Sequence, residues 1–416
     1  MDVLVERCAG LDVHRDSVVA TVRVPGRRRG TRRGETRTFA TTIAGLTRMA
    51  DWLVGEHAVT LVGMEATGVY WKPVFAVLEP EFGVECWLLN AQHMHNVPGR
   101  KTDVADSVWI AQLVEHGLVR PSFIPPPAVR DLRDVTRLRT AVTQERTRCI
   151  QRLEKVMQDA GIKLTSVASQ AYSKTARAIM VALVSGVDDP VALAALAKGR
   201  LRSKSDRLVE ALANRFRVTH HGVLVRRLLA HVDSLEAQLA GLDDKIDAMV
   251  APVADLVELV CTIPGVAPNT AHVLLAECGW DMSVFSSAGH LSSWAGICPG
   301  NNASGGKRFS GATRPGSKWL RTALTQAAQA AARGKGTYLS AHHAQIRGRR
   351  GSAKAIGATR HDILVAYWHI VRDRVPYRDL GPDWTARRYS VEHRTNRLVK
   401  QLEALGVKVT IESEAA

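Results

Sequence analysis

Four carboxylates early in the chain are spaced as a metal-dependent phosphoryl-transfer site requires. Asp12 falls at the end of the strand pattern RCAGLDVH, Glu65 at the end of VTLVGMEA, and Asp103 and Asp106 open TDVADSVWIAQLVEHG. The i,i+3 spacing of the last two puts them on one helical face. Carboxylates gathered at such element ends repel unless cations hold them. Mg²⁺ is the natural choice, because it takes hard oxygen ligands and keeps waters and phosphate oxygens in its shell. Two such ions would activate an attacking oxygen and stabilise a leaving one. Singly, the acids also have plainer readings: Asp12 suits a turn, Asp103 an N-cap, and Asp106 a solvated first-turn acid. Glu65 ends an apolar strand and fits none of these. Asp16 is assigned to the turn that follows Asp12.

A second reactive element lies far downstream, in NNASGGKRFSG (301–311). Ser304 precedes two glycines and a Lys-Arg pair, and no Asp or Glu occurs between Met282 and His361. A loop explains Gly305 and Gly306, and phosphate binding explains Lys307 and Arg308. Neither explains the serine. A serine that attacks a phosphodiester keeps its energy in a phosphoserine ester, which a strand hydroxyl can reverse without ATP. No His or acid lies nearby in sequence, so the activating base or metal must come from elsewhere in the fold. Lys307, Arg308 and Arg314 would offset charge on the phosphate, and Lys318 and Arg321 follow as further nucleic-acid contacts. Ser292, Ser293, Ser310 and Ser317 compete for the same role, and an ordinary loop serine is the plain alternative.

The elements that must position these groups are readable from periodicity. RCAGLDVH, SVVATVRV and TRTFAT read as strands, with PGRRRGTRRGE as a loop between the last two. A helix from Ile43, the strand VTLVGMEA, a helix interrupted near Pro73, the strand ECWLLNA and a helix ending at Gly117 follow. The order βββαβαβα is that of ribonuclease-H-like nuclease domains. SFIPPPAVRD marks a boundary, and beyond it Leu132, Val135, Leu138, Val142, Cys149, Leu153 and Val156 form a helical stripe. A second stripe (Leu228, Val232, Leu235, Leu239, Leu242, Ile246, Met249) has coiled-coil spacing; it packs either on its own chain or on a second copy. LVCTIPGVAPNTAHVLLAECG reads as a helix-hairpin-helix, in which Gly265 would let backbone approach a phosphate, or as an ordinary helical corner.

Composition points to a polyanionic partner. The chain of 416 residues has a net charge of +16. The first 120 residues carry 14 basic and 14 acidic groups, so the whole excess lies beyond Arg120. Twelve Lys/Arg fall between Lys307 and Arg360. With the loop Arg27, Arg28, Arg29, this basic surface suits nucleic-acid phosphates. No apolar run is long enough to span a bilayer, and the N-terminus lacks the h-region of a signal peptide. The six cysteines show no CxxC pair, as expected of reduced thiols in a cytosol.

GLDVHRDSVVATV, GMEATGVYW and GRKTDVADS resemble the RuvC-like half of the DEDD transposases of the IS one-ten insertion-sequence group. LVCTIPGVAPNTAHVLLAECGWD, FSSAGHLSSWAGICP and NNASGGKRFSGATRPGSKWLRTAL resemble the second half of that family, its transposase-twenty domain. Ser107 stands where the family often has alanine. The resemblance implies that Asp12, Glu65, Asp103 and Asp106 bind metal and that Ser304 is the nucleophile, meeting the acidic site of another protomer. It also implies a structured bridge RNA that pairs with donor and target DNA.

The expected architecture is therefore α/β followed by all-α. Residues 1–121 form a RuvC-like catalytic domain, and 122–254 an elongated helical linker with coiled-coil pattern. Residues 255–375 form a mainly helical transposase domain, and 376–416 a basic tail. The expected function is RNA-guided DNA recombination with two Mg²⁺ ions, by a dimer or tetramer with no membrane association, in a bacterial cytoplasm. A hydrolytic RuvC-like nuclease or junction resolvase, and a non-catalytic RNA-binding scaffold, are the competing readings.

Overall fold

The computed structural model describes all residues except 1, 29, 66–67, 90–105, 169, 301, 315, 385–390 and 411–416. For residues 302–304, 308–310, 391–394 and 397 it describes the backbone alone. The chain divides into two compact units, Met1–Ile124 and Pro125–Ala416.

The first unit is built on a five-stranded mixed sheet. Its strands are β1 (Cys8–Val13), β2 (Ser17–Pro25), β3 (Arg32–Ala40), β4 (Leu61–Glu65) and β5 (Glu85–Leu89), in the order β3-β2-β1-β4-β5. The first three pair antiparallel; β1–β4 and β4–β5 are parallel. Strand alternation divides the side chains between two faces. Ala9, Leu11, Val62 and Met64 join the core under α1 (Ile43–Ala50) and α2 (Trp71–Phe82). On the other face Cys8, Leu61 and Leu89 pack against Ile110, Leu113 and Val114 of α3 (Asp106–Glu115).

Two local expectations change. The basic stretch after Pro25 is a short loop rather than one reaching Glu35, because β3 already begins at Arg32. Arg32 is drawn into the sheet by the buried carboxylate of Glu115, which also receives Arg23 Nε at 2.6 Å. Nor does Pro73 interrupt α2. It lies in the first helical turn, where a missing N–H breaks no bond.

Among its described residues the second unit is helical apart from one small hairpin. A 33-residue helix, α4 (Pro127–Asp159), runs antiparallel to α8 (Val223–Val250). Arg146 meets Glu236 at 2.6 Å, and one heptad along Arg139 Nη2 meets Asp243 at 3.1 Å. The stripe with coiled-coil spacing thus packs on its own chain. Val225, Leu229, Val232 and Leu235 close against Val142, Cys149 and Leu153. Leu138, expected on the α4 stripe, is exposed, and Thr136 is buried instead with its hydroxyl bonded to the Arg133 carbonyl. Three short helices, α5 (Lys174–Val184), α6 (Pro190–Ala195) and α7 (Ser205–Ala211), complete this core.

The chain then forms α9 (Ala254–Cys261), α10 (Pro268–Cys278) and α11 (Ala288–Trp294), the hairpin β6 (Asn302–Ser304) and β7 (Lys307–Ser310), and α12 (Lys318–Arg333), α13 (Tyr338–Arg350) and α14 (Ser352–Asp373). A last helix, α15, covers Val391–Glu403. Buried Tyr367 of α14 donates to the Gly279 carbonyl at 2.6 Å, fixing α14 to the end of α10. Among the described residues no helix is long and apolar enough to cross a membrane.

Candidate functional site

The sheet brings two of the four sequence-selected acids side by side. In the parallel pair β1–β4, Leu11 is in register with Met64. Asp12 and Glu65 each stand one residue beyond that pair, on neighbouring strands about 4.8 Å apart. Strand alternation assigns both to the face covered by α3, with Gly10 and Gly63 two residues before them. A Cβ on Gly10 would lie 2.2 Å from the Ser107 carbonyl oxygen and 2.3 Å from the Ala111 nitrogen. One on Gly63 would lie 2.5 Å from Val114. Only glycines let the helix settle this close. Asp106 opens that helix.

Two further contacts fix the helix. The Ser107 hydroxyl bonds Thr21 Oγ1 at 2.9 Å, which in turn meets Thr36 at 2.8 Å. A serine at 107 thus has a partner on β2. At the other end, Glu115 is fully buried between Arg23 and Arg32. Sequence reasoning missed this clamp, although a glycine inside a strand is a signal of close backbone approach.

Asp103 lies outside the described residues, as does Arg29. The donor set of the other three acids suits a hard divalent cation, since all are carboxylates at adjoining element ends. Asp12 Oδ2 lies 3.1 Å from His14 Nε2. The oxygens of Asp12, Glu65 and Asp106 do not all lie within 4.8 Å of one another. Among the described residues one group of donors is that close: Asp159, His220 and His221. His221 Nδ1 accepts the Arg217 N–H at 3.0 Å, so its Nε2 carries the proton and donates to Asp159 at 3.0 Å. That leaves Nε2 without a lone pair for a metal; the group closes the corner before α8.

The stretch around Ser304 is a hairpin rather than an irregular loop. Ser304 pairs with Lys307, leaving Gly305 and Gly306 as a two-residue turn. Their φ angles, 56° and 76°, are those a type I′ turn requires, which glycine adopts without strain. Among the described residues no atom lies within 4 Å of a Cβ built on either. Below the turn Gly300 N–H bonds the Ala312 carbonyl at 2.9 Å.

Of the competing serines, one has structural work and another is buried. Ser317 caps α12 by accepting the Leu320 N–H and donates to Glu277 Oε2 at 2.8 Å. Glu277 is buried and also receives Arg137 through two bonds of 2.7 and 2.9 Å. Ser292 is fully buried in α11.

The basic residues fall at accessible places. Arg27 and Arg28 are exposed in the β2–β3 loop, and Lys307, Arg314 and Lys318 are exposed around the serine hairpin. Arg321 is half-buried and donates to the Arg314 carbonyl at 3.0 Å. Gly265 has φ 89°, and a Cβ there would lie 2.4 Å from the Ala327 carbonyl, so backbone conformation and close packing on α12 both favour glycine.

Two family descriptions match the chain in order. The DEDD domain, described as "Transposase", matches residues 9–162, and "Transposase IS116/IS110/IS902 family" matches residues 257–344. Together they cover more than half of the sequence, and the chain belongs to the IS110 family of transposases. It is similar to a Streptomyces coelicolor protein named "Mini-circle putative transposase for IS117", with 33% identity over 132 residues. That stretch covers 29% of this chain and 32% of the relative, so the match spans about a third of the relative's length.

Proposed function

We propose that this chain is the transposase of a mobile insertion sequence, cutting and rejoining DNA through a phosphoserine ester. The observation that carries the reading is the placement of Asp12, Glu65 and Asp106 at adjoining ends of two parallel strands and one helix. Membership of a transposase family supports it.

Asp12, Glu65, Asp103 and Asp106 would hold Mg²⁺, which when bound supplies positive charge to the phosphate oxygens. Ser304 Oγ forms a bond to phosphorus as the bond from phosphorus to one strand oxygen breaks. The serine proton passes to a carboxylate acting as base, and the departing strand oxygen takes up a proton. One phosphate ester is exchanged for another, so rejoining needs no ATP. Lys307, Arg308 and Arg314 offset charge on the phosphate, and Lys318, Arg321, Arg27, Arg28 and Arg29 hold backbone phosphates elsewhere. The protein works as a homo-oligomer on donor and target duplexes in the bacterial cytoplasm, with a structured bridge RNA selecting both by base pairing.

The test is covalent. Protein, Mg²⁺, DNA bearing the element ends and RNA from the flanking sequence are combined, and adducts are resolved on a denaturing gel. Wild type forms a protein–DNA adduct, and Ser304→Ala forms none. Cutting by Ser304→Ala at the wild-type rate establishes a hydrolytic nuclease instead. No adduct and no cutting by wild type, with RNA binding unaltered in Asp12→Asn, rules out both enzymes and leaves the RNA-binding scaffold.

A further inference from the structure

The segment that connects α4 to α8 folds around an open cavity of about 690 Å³. Its walls come from two 3₁₀ turns, Leu164–Ser166 and Gly199–Lys204, and from Ser173 just before α5. Buried Val167 and Ala168, with half-buried Leu201, give it one apolar side. Arg200 and Lys204 line it as well, and both are exposed to solvent.

The charges around this cavity are unbalanced. No Asp or Glu occurs from Ala160 to Val187 or from Pro190 to Ser205, and among the described residues no carboxylate lines the cavity. Elsewhere in this unit the fold neutralises its cations: Arg139, Arg146 and Arg177 each meet a carboxylate of α8. Lys198, Arg200, Arg202 and Lys204 meet none within 4.0 Å among the described residues. Arg202 Nε donates to the Ala197 carbonyl at 3.2 Å and Lys204 Nζ to the Val167 carbonyl at 3.3 Å, which position the side chains without cancelling their charge. Four cations within the seven residues KGRLRSK repel one another. A polyanion arriving from solvent relieves that repulsion.

The hydroxyls narrow the ligand further. Thr165 donates to Glu154 at 3.0 Å, Ser166 to the Lys163 carbonyl at 2.7 Å, and Ser203 to the Arg200 carbonyl at 3.0 Å. Their oxygens remain as acceptors. Ser173 instead accepts the Ala176 N–H, so its proton is free to be given. The cavity therefore offers cations and a hydroxyl donor to phosphate oxygens, and acceptors and an apolar side to a sugar. A duplex is gripped by elements that project into its grooves, whereas a charged concavity admits one strand. We propose that this cavity holds the sugar–phosphate backbone of a single nucleic-acid strand, with Arg200 and Lys204 on its phosphates. In sequence it falls between the two family-matched stretches, and it goes beyond the transposase reading without depending on the acids or on Ser304.

The test is the salt dependence of binding of the full chain to oligothymidylate and, separately, to oligouridylate, each about a dozen nucleotides long. Each neutralised phosphate of a single strand adds about 0.7 to the log–log slope. Arg200→Gln and Lys204→Gln should each lower the slope by that amount, and Arg200→Lys should keep it. The Arg200 side chain is exposed, so Arg200→Gln should melt with wild type. A lower slope with the deoxy strand alone identifies DNA as the ligand, and with the ribo strand alone RNA. A lower slope with both identifies a backbone site indifferent to the sugar. Lys245→Gln removes an exposed charge near the end of α8 away from the connecting segment, and should leave the slope unchanged. Unchanged slopes for Arg200→Gln and Lys204→Gln overturn the site. So does an equal fall for Lys245→Gln, or a wild type that binds neither strand. The covalent adduct is read in a separate assay, so the transposase reading stands whichever way the slopes fall.

Discussion

Gly10 lies directly beneath Ala111. A methyl group on Gly10 would stand 2.3 Å from the Ala111 nitrogen, so strand and helix touch backbone to backbone. This approach sets the height of α3 over the sheet, and with it Asp106 relative to Asp12. Gly10→Ala should therefore push the helix outward, at about 1–3 kcal/mol in stability. Mg²⁺ affinity should fall with it. Denaturant melts and titration calorimetry measure the two effects, and a variant with unaltered melt and metal affinity would contradict the placement.

Glu115 holds the opposite end of the same helix. Its carboxylate is fully buried and receives Arg23 and Arg32 from two different strands. Replacing it with Gln leaves two cations without their counter-charge, at about 3–5 kcal/mol. The expected result is early unfolding of the first unit in urea, seen by limited proteolysis between residues 1 and 124.

Ser317 and Ser304 should separate cleanly. Ser317→Ala removes a helix cap and one hydrogen bond to Glu277, at roughly 0.5–2 kcal/mol, without affecting the covalent adduct. Ser304→Ala should abolish the adduct while leaving the melt unchanged. An adduct lost in Ser317→Ala at full stability would reassign the nucleophile.

Acid should loosen the second unit at mildly low pH. Burial holds His272 and His343 below the usual histidine range, and for His343 the cations Arg347 and His342 add to it. A histidine kept neutral in the fold binds fewer protons than in the unfolded chain. Its contribution is present above the unfolded pKa of about 6.5 and is lost as pH falls below that. Melting temperature should thus decline from pH 7 toward 5, and less steeply in a His272→Asn, His343→Asn double variant. Asp362, lowered by hydrogen bonds and charge from His342 and His361, adds a second loss only below the normal carboxylate range.

Much of this was legible in the chain, for identifiable reasons. The short apolar runs around Leu11 and Met64 report buried strands, and the acids near their ends follow from strand ends. Heptad spacing in α8 predicts a helical partner but not which one, because α4 and a second copy offer similar stripes. The Gly305–Gly306 pair suggests a loop, but two glycines between strands also signal a tight turn. Contacts between distant segments stayed hidden. Nothing near Glu115 announces Arg23 or Arg32, and nothing near Glu277 announces Arg137. Gly265 shows the ambiguity of single residues: the same left-handed glycine serves a phosphate or a neighbouring helix.

The carboxylates that brace the frame differ in one respect from the charges proposed to grip nucleic acid. Glu115 and Glu277 meet their arginines out of reach of mobile ions, whereas Arg27, Arg314 and Lys318 face solvent. Near 1 M salt the screening length shrinks to about 3 Å, which dissolves exposed contacts and spares buried ones. A concentrated-salt wash should therefore strip co-purified nucleic acid while the fold persists, giving a reversible route to reloading the protein with chosen strands.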